Sequence, residues 1–168
     1  MAKKPVNSPL SIRPGTRRDV PTILRMIRGL AEYEHLAHQV KATAPRLRRD
    51  GFGGKPYFET LICSQGRAAV GFALYFFTYS TFAARPTLYI EDLYVLPGQR
   101  RKGAGQFLLA ALARVALRRG CGRMEWAVLV ENTPAIRFYK RMGATLRKEW
   151  ILTRLSDAAL LRLAGRQR

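Results

Sequence analysis

The sequence predicts a single α/β domain, and three observations support this fold class. The 168 residues are 48% hydrophobic, which is enough to bury the core of one domain and leaves little room for a second. Segments with strand character alternate with segments of helical periodicity along the chain. No internal repeat or linker interrupts this alternation. We therefore expect a disordered leader at residues 1–10 and one domain at residues 11–168.

Turn and capping residues set the expected boundaries of the individual elements. Thr16 followed by Asp19 resembles a capping box at the start of the first helix, and Gly120 and Gly143 are placed to end later helices. The expected strands are Leu10–Arg13, Tyr57–Cys63, Ala68–Tyr79, Thr87–Leu96, Met124–Val130 and Trp150–Arg154. The expected helices begin after Thr16, at Thr43 (ending before the glycine turn at 51–54), after Gly105, at Thr133 and after Ser156.

The charge balance limits the classes of partner. Thirty Lys and Arg against eleven Asp and Glu give a formal net charge of +19, which suits nucleic acid, an anionic membrane surface or an anionic cofactor. The basic residues are mostly arginines scattered along the chain, and no helix-turn-helix, zinc-finger or RNP-type signature occurs. We expect a solvated, arginine-rich surface without a specific nucleic-acid partner. A basic nucleic-acid-binding module remains the competing class.

The cysteines and the hydrophobic segments indicate a cytoplasmic protein. Cys63 and Cys121 form no CxxC pair, and neither they nor His35 and His38 show the spacing of metal ligands, so no metal is expected. No apolar run approaches the roughly 20 residues that a membrane span needs, and the basic first residues lack the apolar centre of a signal peptide.

The most specific segment lies between the strand ending near Val95 and the next helix. Arg100, Arg101 and Lys102 precede two glycines, Gly103 and Gly105, at the start of that helix. Glycines allow backbone N–H groups to approach a diphosphate closely, and a helix N-terminus adds unpaired donors and a favourable dipole. The segment therefore predicts a phosphate-binding loop. It has neither the GK[ST] of a Walker loop nor the GxGxxG of dinucleotide-binding domains.

The pattern Val95-x-Pro97-x-x-Arg100-x-x-Gly103-x-Gly105 resembles the acetyl-CoA pyrophosphate loop of the GNAT acetyltransferases. Further short blocks resemble the diamine branch of that superfamily, the spermidine/spermine and thialysine N-acetyltransferases, and they occur in the expected order. These blocks are Ile12–Pro14, Leu30–Glu34, Asp50–Gly53, Gly71–Tyr79, Leu88–Asp92 and Phe138–Ala144.

The resemblance implies a mixed sheet that splays open between the strand ending near Val95 and the strand ending near Val130, with acetyl-CoA in the opening. It implies that backbone groups of the first strand hold the pantetheine, that the glycine loop holds the pyrophosphate, and that the start of a later helix packs on the cofactor arm. The residues concerned are Leu93, Tyr94, Val95, Arg100, Arg101, Lys102, Gly103, Ala104, Gly105, Gln106, Asn132, Pro134 and Ala135.

The resemblance also assigns the catalytic groups. A primary ammonium titrates near ~10, so amine acetylation needs a proton acceptor, and the departing CoA thiolate needs a donor. Tyr139 matches the position of the donor in the family. Glu91 matches the carboxylate that serves as general base or substrate anchor, and the neighbouring Asp92 is left open between a role in the site and a salt bridge.

The expected substrate is the primary amine of a small molecule: a diamine, a polyamine or a thialysine-like amino acid. Tyr33, Glu34, Glu91, Glu125 and Trp126 match substrate-side positions of the branch, and scarce acidic residues gathered there would favour a cation. Two positions depart from the branch, since Ser80 and Glu131 replace its usual residues near the substrate. A protein or peptide amine is the alternative acceptor, and the branch implies a homodimer.

Overall fold

The computed structural model describes residues 8–165 and separates them into two compact units, one ending at Ala127 and one beginning at Val128. Residues 1–7 of the expected leader lie outside the described residues. The first strand already includes Leu10, which pairs with Gln65, so the last residue of the expected leader belongs to the sheet. The single domain at 11–168 stays a prediction.

The first unit contains a five-stranded mixed sheet whose spatial order follows the chain. Its strands are β1 (Leu10–Pro14), β2 (Glu59–Gln65), β3 (Ala68–Ser80), β4 (Arg85–Val95) and β5 (Arg123–Trp126). The first four pair antiparallel, whereas β5 runs parallel to β4. A parallel pair requires a crossover connection, and a helix supplies it between β4 and β5. The predicted mixed α/β sheet is confirmed.

Three helices flank this sheet: α1 (Val20–Tyr33), α2 (Ala44–Phe52) and α3 (Ala104–Arg118). From α1, Val20, Ile23 and Met26 are fully buried in the same core cluster as Phe72 of β3. The apolar stripe of α3 is buried as well, at Leu108, Leu112 and their helical neighbours. Both α1 and α3 therefore bury an apolar face, as the helical periodicity of these segments predicts.

The predicted capping box is present. The backbone N–H and the hydroxyl of Thr16 both donate to the Asp19 carboxylate at 2.8 Å, and Arg13 binds the same carboxylate through two nitrogens at 2.7 Å. The Arg13 guanidinium, together with the donors of Thr16, holds the pKa of Asp19 far below its usual value. This start fixes a short 3-10 turn at Arg17–Asp19 that leads into α1.

The C-terminal ends of α1 and α3 share one hydrogen-bonding pattern but differ in one residue type. At the end of α3, Gly120 has a φ of 69° and the next N–H, from Cys121, bonds to the carbonyl of Ala116. At the end of α1, the left-handed position is occupied by His35 with a φ of 60°, and Leu36 donates to Ala31. Because a side chain disfavours this conformation, α1 ends under backbone strain that α3 avoids.

The second unit contains two helices, α4 (Thr133–Arg141) and α5 (Asp157–Ala164). The expected strand Trp150–Arg154 is wrong: the segment has no strand geometry, and Trp150, Ile151 and Leu152 are exposed. Side chains that favour strands do not form one without a hydrogen-bonded neighbour. None of the helices described between residues 8 and 165 combines the length and apolar character needed to cross a bilayer.

Further expected boundaries are corrected. Strand β2 runs from Glu59 to Gln65, two residues later at each end than the expected Tyr57–Cys63. The strand expected at Met124–Val130 ends at Trp126, where its pairing with β4 also stops. Helix α2 continues two residues further than expected, through Gly51 to Phe52. Tertiary packing explains the extension, because the ring of Phe58 lies directly against Gly51 and meets Phe52 edge to face at 6.4 Å between centroids.

Candidate active site

The loop between β4 and α3 has the backbone geometry of an anion-binding turn. Arg101 and Gly103 both have positive φ, 62° and 89°, and Gly103 is the residue that precedes the first turn of α3. Alternation of left- and right-handed residues makes successive N–H groups converge, and the first N–H groups of a helix have no partner within it. A Cβ on Gly103 would contact no protein atom within 4 Å, so its φ, not packing, selects glycine.

The loop side chains divide into two groups. Arg101 and Lys102 are exposed, and Lys102 lies 3.4 Å from the side-chain oxygen of Gln99. Arg100 is half-buried and turns back towards β4: its Nε donates to the carbonyl of Val95 at 3.0 Å. Its guanidinium carbon lies 4.2 Å from the centre of the Tyr33 ring and 5.6 Å from that of Tyr94. Only two of the three predicted cations therefore extend from the loop into solvent.

β4 and β5 separate on the side of the sheet where the loop begins. Their parallel pairing covers Thr87–Ile90 of β4, and the last five residues of β4, 91–95, have no β5 partner within the described part of the chain. The backbone of Leu93, Tyr94 and Val95 thus borders an open edge of the sheet. Such an edge offers N–H and C=O groups for pairing with an extended ligand. The opening expected near Val95 is present.

Glu91 occupies a β-bulge in β4. Leu74 of β3 pairs with Asp92 and the next residue, Tyr75, pairs with Ile90, so Glu91 is left without a partner in the antiparallel ladder. A bulge interrupts the alternation of side chains and redirects them, which is why such features occur at functional sites. Glu91 is exposed, whereas Asp92 is half-buried.

Asp92 and Glu34 bring two further carboxyl groups to the same region. Burial, together with the negative charges of Glu91 and Glu34, raises the pKa of Asp92 to about 7. Burial also raises the pKa of Glu34, which follows the last residue of α1. Among residues 8–165 no cation lies within ion-pairing distance of the Asp92 carboxylate. The salt bridge considered for Asp92 is therefore not observed there. We call Glu34, Glu91 and Asp92 the acidic corner.

β5 contributes the other two predicted substrate-side residues. Glu125 pairs with Tyr89 across the parallel ladder, and its carboxylate forms an ion pair of 2.9 Å with Arg123. Burial, followed by the charges of Glu91 and Glu125, raises the pKa of the Tyr89 phenol. Trp126 ends β5 at the point where the two strands separate. Glu125 is thus partly neutralised, which distinguishes it from the acidic corner.

The second unit contains Tyr139 and the residues predicted to pack on the cofactor arm. The Asn132 side-chain oxygen accepts a hydrogen bond from the Ala135 N–H at 3.2 Å, and Pro134 lies in the first turn of α4. Tyr139 is half-buried on α4, with its ring 5.3 Å from that of Phe138. Lys140 and Arg141 in the last turn add positive charge to this end of the helix.

Sequence reasoning did not identify three features of the site: the burial of Asp92, the bulge at Glu91 and the inward direction of Arg100. An aspartate within an apolar strand was the one signal that pointed to the first. The described residues contain no group of three His, Cys, Asp or Glu side chains arranged as metal ligands. The geometry of the loop suits anion binding, and the acidic corner suits proton or cation binding.

Comparison with known proteins agrees with this geometry. The chain is 42% identical over 166 residues to the thialysine N-epsilon-acetyltransferase of Mus musculus, covering 92% of this chain and 97% of that one. It is 32% identical over 194 residues to an L-ornithine N5-acetyltransferase of Arabidopsis thaliana, covering 89% and 85%.

The fold is also found in solved structures. An integron cassette protein from V. cholerae superposes with a TM-score of 0.78 at 24% identity, covering 93% of this chain and 98% of that one. Residues 24–144 match the acetyltransferase (GNAT) family. The splayed mixed sheet, the anion-binding loop and these matches show that the chain is an N-acetyltransferase of the GNAT family.

Proposed function

We propose that this enzyme transfers the acetyl group of acetyl-CoA directly to the side-chain amine of a small diamino acid such as thialysine or ornithine. The observation that carries the proposal is the acidic corner. In a chain of net charge +19, three carboxyl groups gather where β4 leaves β5, directly before the phosphate loop. Local negative charge in a cationic protein favours a cationic substrate at that place.

The residues of the first unit suit acetyl-CoA. Gly103, Ala104, Gly105 and Gln106 would present backbone N–H groups to the pyrophosphate, with Arg101 and Lys102 beside them. The open edge of β4 at Leu93, Tyr94 and Val95 would pair with the pantetheine amides. Asn132, Pro134 and Ala135 of the second unit are proposed to contact the cofactor arm. When bound, acetyl-CoA supplies the thioester that the amine attacks.

The acidic corner is proposed to remove the proton from the ammonium group of the substrate. Glu91 is proposed as the catalytic carboxylate that anchors the amine and receives its proton directly or through water. Asp92 is proposed to assist Glu91 in proton exchange. A carboxyl group with a pKa of about 7 is close to the optimum for exchanging protons at neutral pH. Tyr33 and Glu34 at the end of α1, with Glu125 and Trp126 of β5, are proposed to bind the remainder of the substrate.

Tyr139 is proposed as the donor to the departing thiolate. Its phenol would give a proton, or a hydrogen bond, to sulfur as the C–S bond breaks. The positive charges of Lys140 and Arg141 beside it in sequence favour the negative charge that develops on that sulfur. Breaking the C–S bond as the N–C bond forms leaves the acetylated amine and CoA, with the proton of the amine on the carboxylate side.

The choice of a diamino acid over a polyamine comes from Ser80. This position lies at the end of β3, where the branch usually has an acidic residue that could hold a second ammonium. Here the side chain is buried, and its hydroxyl accepts the N–H of Ala83 at 3.2 Å, so it supplies a turn and no charge. Glu131, the second position that departs from the branch, is exposed in the second unit.

The remaining features of the proposal concern assembly and location. A homodimer, a cytoplasmic location and the absence of a specific nucleic-acid or membrane partner are proposed from the resemblance and from the sequence. Size-exclusion chromatography with light scattering tests the first of these: a mass near twice 19.0 kDa supports a dimer.

The test of function is a matched panel of amines with acetyl-CoA, followed by release of the CoA thiol. The panel contains thialysine, lysine, ornithine, putrescine, spermidine and a lysine-containing peptide. We expect the highest kcat/KM for a diamino acid. A clear preference for the peptide or for spermidine would contradict the proposed substrate class, and acetyl-CoA binding without acetylation of any amine would contradict the reaction.

A matched pair of variants tests the acidic corner. Glu34→Gln should raise the KM for the best amine about tenfold or more, because it removes a charge-assisted contact. Glu32→Gln, an exposed glutamate on the same helix, is the control and should leave the KM unchanged. Equal effects of the two variants would mean that the substrate responds only to net charge.

A further inference from the structure

One glycine inside α1 allows the last part of β4 to approach that helix closely. A Cβ on Gly29 would lie 2.7 Å from the hydroxyl oxygen of Tyr94 and 3.0 Å from the ring carbon that carries it. Glycine within a helix destabilises it by about 1 kcal/mol relative to alanine. Here it makes room for a nearly fully buried tyrosine from the strand that leads into the phosphate loop.

Arg100 extends this contact to the end of α1. Its guanidinium carbon lies over the rings of Tyr33 and Tyr94, at 4.2 and 5.6 Å from their centres, and its Nε donates to the Val95 carbonyl at 3.0 Å. A planar guanidinium combines stacking on an aromatic face with a directed hydrogen bond, which a lysine ammonium cannot do. Gly29 and Tyr33 are four residues apart, so they lie on the same face of the helix.

The end of α1 that Arg100 contacts is also the end that carries the substrate-side residues. Tyr33 is the last residue of α1, and Glu34 follows it and acts on the pKa of Asp92. This end is under strain at His35. The contact of Arg100 with Tyr33 therefore helps to fix the positions of Tyr33 and Glu34, which would face the amine.

We propose that Arg100 is a positioning residue that joins the phosphate loop to the amine side of the active site. Its backbone belongs to the loop that would bind the pyrophosphate, while its side chain holds Tyr33 and, through it, the adjacent Glu34. Binding of acetyl-CoA to the loop thereby raises the affinity for the amine, and by linkage the amine raises the affinity for acetyl-CoA to the same extent. This inference rests on the proposed function.

The first test uses the variants Arg100→Lys and Arg101→Ala with the best amine from the panel. Arg100→Lys keeps the charge but loses the stacking and the Nε donor, so we expect the amine KM to rise about 3- to 30-fold. The KM for acetyl-CoA should change less than the amine KM. Arg101→Ala should show the opposite pattern. A rise in the acetyl-CoA KM alone for Arg100→Lys would make Arg100 an ordinary phosphate ligand and overturn the proposal.

A double-mutant cycle with Tyr33→Ala tests whether Arg100 acts through this ring. The double variant should raise the amine KM no further than the more severe single variant, because both substitutions remove one contact. Additive effects would show that Arg100 acts elsewhere.

A second measurement does not depend on turnover. Hydrogen exchange of the free protein should accelerate at the amides of residues 33–36 in Arg100→Lys and stay unchanged in Arg101→Ala. Unchanged exchange in Arg100→Lys overturns the proposal, whether or not the wild-type enzyme acetylates any amine of the panel. Faster exchange in an enzyme that acetylates none of them would retain the contact and reject the proposed function.

Discussion

The protonation of Asp92 should make the stability of the fold depend on pH in an unusual direction. Most native carboxylates have lowered pKa values and stabilise the fold as pH rises. The Asp92 pKa is raised to about 7 by burial and by Glu91 and Glu34, whereas an unfolded aspartate titrates near ~3.9. Between these two values the native state holds a proton that the unfolded state has lost. The stability contributed by Asp92 is therefore present below about pH 4 and is lost as pH rises through about 7.

The variant Asp92→Asn isolates this effect, since an amide resembles the protonated carboxyl group and does not titrate. A difference of about 3 pH units corresponds to about 4 kcal/mol at most. Because Glu91 is exposed and solvent screens part of the repulsion, we expect the stability of the variant relative to wild type to increase by about 1–3 kcal/mol between pH 4 and pH 8.

Urea unfolding of both proteins at several pH values measures this difference. Asp50→Asn is the control: Arg49 lowers the pKa of Asp50, so that variant should show no trend between pH 5 and pH 8. Parallel stability profiles for wild type and Asp92→Asn would refute the argument, because they would mean that Asp92 titrates alike in the folded and unfolded states.

Four further predictions concern catalysis, cofactor binding and stability. Tyr139→Phe should lower kcat by about two orders of magnitude or more while sparing acetyl-CoA affinity and melting temperature, and a kcat close to wild type would make Tyr139 a packing residue. Gly103→Val should weaken acetyl-CoA binding in calorimetry, because a φ of 89° is strained for valine and its side chain would project beside the proposed phosphate site; unchanged affinity would contradict that assignment. His35→Gly should stabilise the fold by about 1 kcal/mol in urea unfolding, whereas Gly143→Ala, at the equivalent end of α4, should destabilise it. A loss of stability in His35→Gly would show that the contacts of the histidine side chain stabilise the fold by more than the backbone strain destabilises it. Nucleic-acid binding, where observed, should be nonspecific and disappear as salt is raised, so tight sequence-selective binding at physiological salt would contradict the proposed function.

Sequence reasoning succeeded where the determinants are local. The loop before α3 depends on glycine at a left-handed position and on a helix start, and both can be read from neighbouring residues. The same is true of the capping box at Thr16 and of Gly120 at the end of α3. The alternation of strands and helices likewise predicted the α/β fold class.

Features that depend on pairing between distant segments could not be predicted in this way. The bulge at Glu91 exists because β3 pairs with residues on either side of it, and no property of Glu91 alone indicates a change of register. The direction of Arg100 depends on Gly29 and Tyr94, which meet only when α1 packs on β4. The strand expected at Trp150–Arg154 is absent for a related reason. Its side chains favour a strand, but a strand also needs a neighbouring strand with which to form hydrogen bonds.

The arrangement of charge around the phosphate loop matters for the proposed pair of substrates, one anionic and one cationic. At physiological ionic strength, charges more than about 8 Å apart in solvent are largely screened, so the net charge of +19 does not determine the potential at each site. The exposed side chains of Arg101 and Lys102 place their positive charge on the solvent side of the loop. The half-buried Arg100 is instead held against Tyr33 and Tyr94, with no carboxylate of the acidic corner forming an ion pair with it within residues 8–165. The carboxyl groups of the acidic corner are thus perturbed by burial and by one another, while the Arg100 guanidinium is engaged by two aromatic rings.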